Sequence, residues 1–216
     1  MLNIQKFVFN PFAENTYIIW EVESLECAII DPGCSDEIET QQLIKFIQNN
    51  NLKPKYLINT HCHIDHILGV NEVLENFQIK YLAPEKDLHL LEHSVSQAEM
   101  FSLQIDEVKK PDEYLTENSE IVLGSEKLIC LFTPGHTPGE YCLYSSNNKF
   151  CITGDVLFQQ SIGRTDLWGG NYNQLIDSIQ TKLLTLPDDT VIYPGHGDSS
   201  TIGEEKKFNP FLQNTK

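Results

Sequence analysis

Three histidines and an aspartate fall within six residues, His61-Cys62-His63-Ile64-Asp65-His66, and few folds can accommodate that density of metal-binding groups without building a site from it. The segment follows the apolar stretch Tyr56–Asn59, which reads as a short buried strand, and precedes a helical pattern from Leu68 to Phe77. In an extended chain side chains alternate with period two, so His61 and His63 are expected to face the same way and share one ion. Asp65 and His66 fall at the turn into the helix, which suits a second ion. Cys62 should face the opposite side and serve in packing.

Three further sites have the same character, each a histidine or aspartate after a strand in a glycine-bearing turn. They are Thr133-Pro134-Gly135-His136-Thr137-Pro138-Gly139, Thr153-Gly154-Asp155 and Tyr193-Pro194-Gly195-His196-Gly197. Together the four segments supply five histidines and two aspartates. Imidazole and carboxylate without thiolate point to zinc, iron or manganese. Seven candidate ligands exceed the three usual for one catalytic zinc, so two divalent ions are the natural count. His89 and His93, spaced four apart on a surface helix, are left out of the site.

The rest of the chain reads as a frame for these loops. Lys6–Asn10, Asn15–Glu21 and Cys27–Asp31 form a strand meander, closed by the turn Asp31-Pro32-Gly33. A helix capped by Ser35 then runs to about Asn50 with Ile38, Leu43, Ile44, Phe46 and Ile47 on its apolar face. A strand is expected at 78–82, surface helix at 85–101, hairpins at 120–133 and 141–152, a helix at 173–184 and a strand at 190–193. Strand-helix-strand order implies a crossover onto a sheet. No repeat or linker marks a boundary, so 1–216 is expected to be a single domain.

The net charge of −16 repels phosphate backbones and anionic headgroups, so neither nucleic acid nor membrane is expected as a partner. No apolar run is long enough to span a bilayer, and the opening residues do not resemble a secretion signal, which suggests a cytoplasmic protein. The six cysteines form no Cys-x-x-Cys pair and several lie in apolar runs, so they read as small buried hydrophobes.

At these histidine and aspartate segments the sequence resembles the metallo-β-lactamase superfamily, and within it the glyoxalase II-like hydrolases, with the ligands in the family's order. The resemblance implies an α/β (α+β) fold, a four-layer αββα sandwich. It assigns His61, His63 and His136 to a first metal, and Asp65, His66 and His196 to a second, with Asp155 between them. A β-lactamase of the commonest type has cysteine where Asp155 stands and lacks the His66 ligand, so antibiotic hydrolysis is disfavoured. Flavin-linked di-iron reductases have glutamate where His63 stands. The stretch Val156 to Asp166 resembles compact bacterial glyoxalase II-like proteins, and Gly163-Arg164-Thr165-Asp166 is similar to persulfide dioxygenases as well. By the same likeness Arg164 is a substrate-binding candidate, with an ordinary ion pair as its other reading. Enzymes of the glyoxalase II type carry a C-terminal helical region that completes their thiol-tripeptide pocket; with fewer than twenty residues after Gly197, none is expected here.

The expected activity is hydrolysis of a small-molecule thioester by hydroxide held between two divalent ions, zinc first, with Asp65 and Asp155 as catalytic ligands that orient and tune that water. A thiolate of pKa about 8.5 leaves without a strong proton donor. The alternatives are lactone hydrolysis, or persulfide oxidation at a mononuclear iron held by His61, His136 and Asp155.

Overall fold

The computed structural model describes residues 1–213. Backbone contacts divide the chain into two units, one of Met1–Leu115 with Val122–Lys127, the other of Thr116–Ile121 with the chain from Leu128 onward. In the first, β1 (Leu2–Phe9), β2 (Glu14–Glu21) and β3 (Glu26–Ile30) form the expected antiparallel meander. The chain then crosses over through α1 (Glu37–Asn49) to β4 (Lys53–Ile58), parallel to β3. β5 (Lys80–Ala83) and β6 (Glu113–Tyr114) add in parallel, giving a six-stranded sheet in sequence order.

The α1 start differs from expectation in its cap. Asp36, not Ser35, accepts the Glu39 backbone N–H at 2.8 Å, and the Glu39 carboxylate reaches back to the Ser35 N–H at 2.7 Å. This reciprocal arrangement satisfies two donors at a helix entrance. Ile38, expected on the buried face, is 78% exposed, whereas Leu43, Ile44 and Ile47 are buried. Removing either Leu43 or Ile47 from this core costs about 2–5 kcal/mol.

After β4, the helical segment starts earlier than its apolar pattern suggests, as α2 (Ile64–Ile67), and resumes after Gly69 as α3 (Val70–Asn76). The Gly69 N–H donates to the Pro32 carbonyl at 2.8 Å, which ties this break to the turn after β3. The segment expected at the surface forms α4 (Leu88–Glu92) and α5 (Ser94–Met100). It is not peripheral, because Leu90, Leu91 and Ala98 are buried in the same core as Leu57, Cys62 and Tyr81.

The second sheet has the order β14-β13-β10-β9-β8-β7. Its strands are β7 (Glu120–Leu123), β8 (Glu126–Phe132), β9 (Tyr141–Ser145), β10 (Phe150–Gly154), β13 (Val191–Pro194) and β14 (Ser200–Thr201). Both expected hairpins are present, and β13 joins β10 in parallel. A small ribbon of β11 (Leu157–Phe158) and β12 (Ser161–Ile162) follows β10. α6 (Tyr172–Ser178) begins at an Asn171 cap and widens into a π turn over Ile179–Leu183, and α7 (Ile202–Phe208) follows β14. Cys142 and Cys151 pack with Leu157, Leu175, Ile179 and Ile192. All six cysteines are buried and free, the packing role read from their apolar neighbours. No helix among the described residues is long and apolar enough to cross a membrane.

Candidate metal centre

In the first unit, pairing of β4 ends at Ile58, so His61 and His63 do not approach each other through strand alternation. The chain between them is instead shaped by Asp31. Its carboxylate accepts the Thr60 N–H at 2.7 Å, the Thr60 hydroxyl at 2.6 Å and the Asn59 side-chain amide at 3.3 Å. Asn59 also donates to the His66 carbonyl at 2.7 Å, so one turn residue and one amide bracket the segment from both ends. His63 then sits at the N-cap of α2, and Asp65 and His66 lie inside that helix.

The result is a cluster of three imidazoles. The His61 ring centroid lies 5.0 Å from that of His63 and 4.1 Å from that of His66. Asp31, His61 and His66 each offer a ligand atom within 4.8 Å of the others. Proton counting sets the tautomer of His61. The single Thr60 hydroxyl hydrogen goes to Asp31, so Thr60 Oγ1, 3.2 Å from His61 Nδ1, accepts from that ring and directs the lone pair to Nε2. His66 Nδ1 lies 3.2 Å from Asp31 Oδ2 and 3.9 Å from Glu14 Oε1, while its Nε2 lies 3.7 Å from Asp65 Oδ2. Glu14 is fully buried, and burial pushes its carboxyl well above the ordinary range, against the pull of neighbouring His66. Asn10 fastens the Asp65 carbonyl with its side-chain amide at 2.9 Å.

In the second unit, β10 ends at Gly154 and presents Asp155, whose N–H donates to the buried Glu140 carboxylate at 2.7 Å. Asp155 Oδ2 lies 3.5 Å from His136 Nε2 and 3.6 Å from His196 Nε2. His136 Nδ1 donates to the Arg164 carbonyl at 2.7 Å. A carbonyl only accepts, so this bond places the proton on Nδ1 and leaves Nε2 as the ligand atom. Gly163 holds this corner closed, since a Cβ there would lie 1.8 Å from the Asp155 carbonyl oxygen and 3.2 Å from His136 Cβ.

These separations provide a test of fit to a metal ion. Two ligands bound to one tetrahedral ion at 2.0–2.1 Å stand about 3.4 Å apart. The three imidazole–carboxylate distances of 3.5, 3.6 and 3.7 Å match that spacing, and exceed that of a direct hydrogen bond. The donors are imidazole nitrogen and carboxylate oxygen throughout, while burial raises the Cys62 thiol far above its usual range and Cys62 packs in the core. The residues therefore fit a borderline divalent ion, as expected.

Sequence reasoning missed the supporting acids. Asp31 looked like an ordinary Asp-Pro-Gly turn, yet its backbone is left-handed (φ 48°) and its carboxylate organises the histidine segment. Glu14 and Glu140 carried no local signal. Of the two readings of Arg164, the side chain shows the ion pair: Nε and Nη2 meet the two Asp166 oxygens at 2.7 and 2.8 Å in an exposed, bidentate contact. That contact holds the Asp166 carboxyl down to about 2. His89 in α4 and His93 just after it are exposed, with ring centroids 4.1 Å apart and planes tilted by 41°, and join no group of three candidate ligands among the described residues.

A family model for the metallo-beta-lactamase superfamily matches residues 9–196. Hydroxyacylglutathione hydrolase GloC of Haemophilus influenzae is 40% identical over 213 residues, 98% of each chain. Among solved structures, BLEG-1 B3 metallo-beta-lactamase aligns with a TM-score of 0.88 at 34% identity, over 98% of this chain and all of that one. TTHA1623 in a di-iron-bound form aligns with a TM-score of 0.86 at 33% identity, over 96% of this chain and all of that one.

Proposed function

We propose that this chain, which belongs to the metallo-beta-lactamase superfamily and has its fold, is a metal-dependent hydrolase that cleaves thioesters to a carboxylic acid and a thiol. The observation that carries the metal-dependent part is Asp155 Oδ2, at ligand spacing from both His136 Nε2 and His196 Nε2. The choice of thioester rests on the likeness to a hydroxyacylglutathione hydrolase at 40% identity. In this reading His61, His63 and His136 hold one divalent ion and Asp65, His66 and His196 a second, with Asp155 shared. Zinc is our first choice; the di-iron neighbour makes iron the alternative to test.

A bound divalent ion supplies Lewis acidity, polarising the carbonyl and bringing the pKa of a water toward about 7. The protein's part is positioning. Arg164 O and Thr60 Oγ1 fix the tautomers of His136 and His61, so both rings enter the site with Nε2 as acceptor. Asp65 and Asp155 bring negative charge that offsets the ions and orients the water as acceptors. The leaving thiol, at pKa about 8.5, departs as thiolate, so no side chain has to donate a proton.

The test is turnover by zinc- and iron-loaded protein on a thioester set (S-lactoylglutathione and the acetyl and benzoyl thioesters of a neutral thiol), a lactone, a β-lactam and a persulfide with oxygen uptake recorded. One of the thioesters should have the highest kcat/KM, and His63→Ala should lose metal and activity together. A higher kcat/KM on the β-lactam or lactone, or oxygen consumption with the persulfide, overturns it.

A further inference from the structure

The loop from Arg164 to Tyr172 is fastened to both flanks of His136. Upstream, the Asn171 N–H donates to the Gly135 carbonyl at 2.7 Å, and at His136 itself the ring donates to Arg164 O at 2.7 Å. Downstream, Gly169 (φ 76°) lies so close to Pro138 that a Cβ would come within 2.4 Å of its ring. Two hydrogen bonds and one close approach thus tie the loop to the segment that carries His136. Yet it exposes three large apolar side chains within six residues, Leu167 at 38%, Trp168 at 52% and Tyr172 at 48%. Exposed apolar groups are unremarkable singly, but clustered on a fixed loop beside a site they call for a ligand. The loop's one cation and one anion, Arg164 and Asp166, are paired with each other. Neither that pair nor the chain's net charge of −16 attracts an anionic ligand.

We infer that this loop is a recognition ledge for an apolar group of the substrate, aromatic or long-chain, with Trp168 its principal contact. The inference rests on the thioesterase reading and narrows its substrate class, away from an anionic tripeptide thiol and toward thioesters with an apolar acyl or thiol portion. Aromatic side chains supply large contact area at small entropic cost, and one such contact changes affinity severalfold.

The experiment uses the metal-loaded full chain, the benzoyl and acetyl thioesters of one neutral thiol, and the corresponding benzyl thioether, which cannot be hydrolysed. Trp168→Ala should lower the benzoyl-to-acetyl ratio of kcat/KM by roughly three- to tenfold, mainly through KM, and Trp168→Phe should restore most of it. The benzyl thioether should quench tryptophan fluorescence of the parent but not of Trp168→Phe, which retains only Trp20. An unchanged ratio in Trp168→Ala, or quenching that persists in Trp168→Phe, overturns the ledge. Quenching in a parent that turns over no thioester supports the ledge and refutes the hydrolase reading. Turnover of both thioesters without quenching refutes the ledge and leaves the hydrolase reading standing.

Discussion

Replacing Thr60 by valine keeps the shape of the side chain and removes one oxygen. That oxygen donates to Asp31 Oδ2 at 2.6 Å and accepts from His61 Nδ1 at 3.2 Å, and all three residues are buried. Asp31 loses a charge-assisted bond and the His61 N–H loses this acceptor. Each buried polar group left short costs about 1–3 kcal/mol, so with two such groups the metal-free protein should lose about 2–6 kcal/mol of stability. Asp31 keeps the Thr60 and Asn59 amides, which is why the loss stays short of global unfolding. Loss of a group that orients a ligand typically weakens metal binding by about 10- to 100-fold, and the freed His61 ring can then adopt the tautomer with its proton on Nε2. The assays are urea unfolding of chelator-stripped protein and competition for zinc against a chromophoric chelator. Thr60→Ser should stay within about 1 kcal/mol of the parent. A valine variant that matches the parent in both assays would refute the idea that the Asp31–Thr60–His61 chain organises the site.

Other consequences are open to direct test. Gly163→Ala should displace the Asp155 corner, because its Cβ would meet the Asp155 carbonyl at 1.8 Å; a thermal melt should show a loss of about 2 kcal/mol or more, and metal retention should fall. Tyr81→Phe removes a fully buried hydroxyl that has no hydrogen-bond partner among the described residues, so urea melts should place the variant level with the parent or up to about 1 kcal/mol above it. Asp166 titrates near 2 because Arg164 stabilises its charged form, so its contribution is present above the unfolded value of about 3.9 and is lost as pH falls toward 2. Carboxyl NMR should find that midpoint and see it return to about 3.9 in Arg164→Ala. Burial pushes the thiols of Cys27 and Cys34 up to about 12, so a thiol reagent at pH 8 should label them only after unfolding.

What could be read in the sequence and what could not follow a physical division. The strand meander and α1 rest on local periodicity, and the seven candidate ligands stand out by residue type at turns, so both are visible without a structure. Asp31, Glu14 and Glu140 are visible only once distant segments meet, because an acid in a turn or at a strand start is ordinarily solvated. The burial of Leu90 and Leu91 was hidden for a similar reason: a helix of mixed polarity gives no sign of which face packs on the core. The His61 and His63 rings lie 5.0 Å apart for a reason other than strand alternation, since the Asp31 contacts and the α2 cap, rather than an extended strand, shape the chain between them. Arg164 stayed ambiguous because an arginine two residues from an aspartate serves equally as an ion pair or as a ligand contact.

The most direct test of the account is X-ray absorption at the metal edge of the protein loaded with zinc. If the histidine and aspartate clusters of the two units hold the ions, the first coordination shell contains only nitrogen and oxygen at roughly 2.0–2.2 Å, and in both His66→Ala and His196→Ala, each of which removes a ligand of the second ion, the nitrogen count and the zinc bound per chain fall. A sulfur shell at about 2.3 Å, or a spectrum unchanged in those variants, contradicts it.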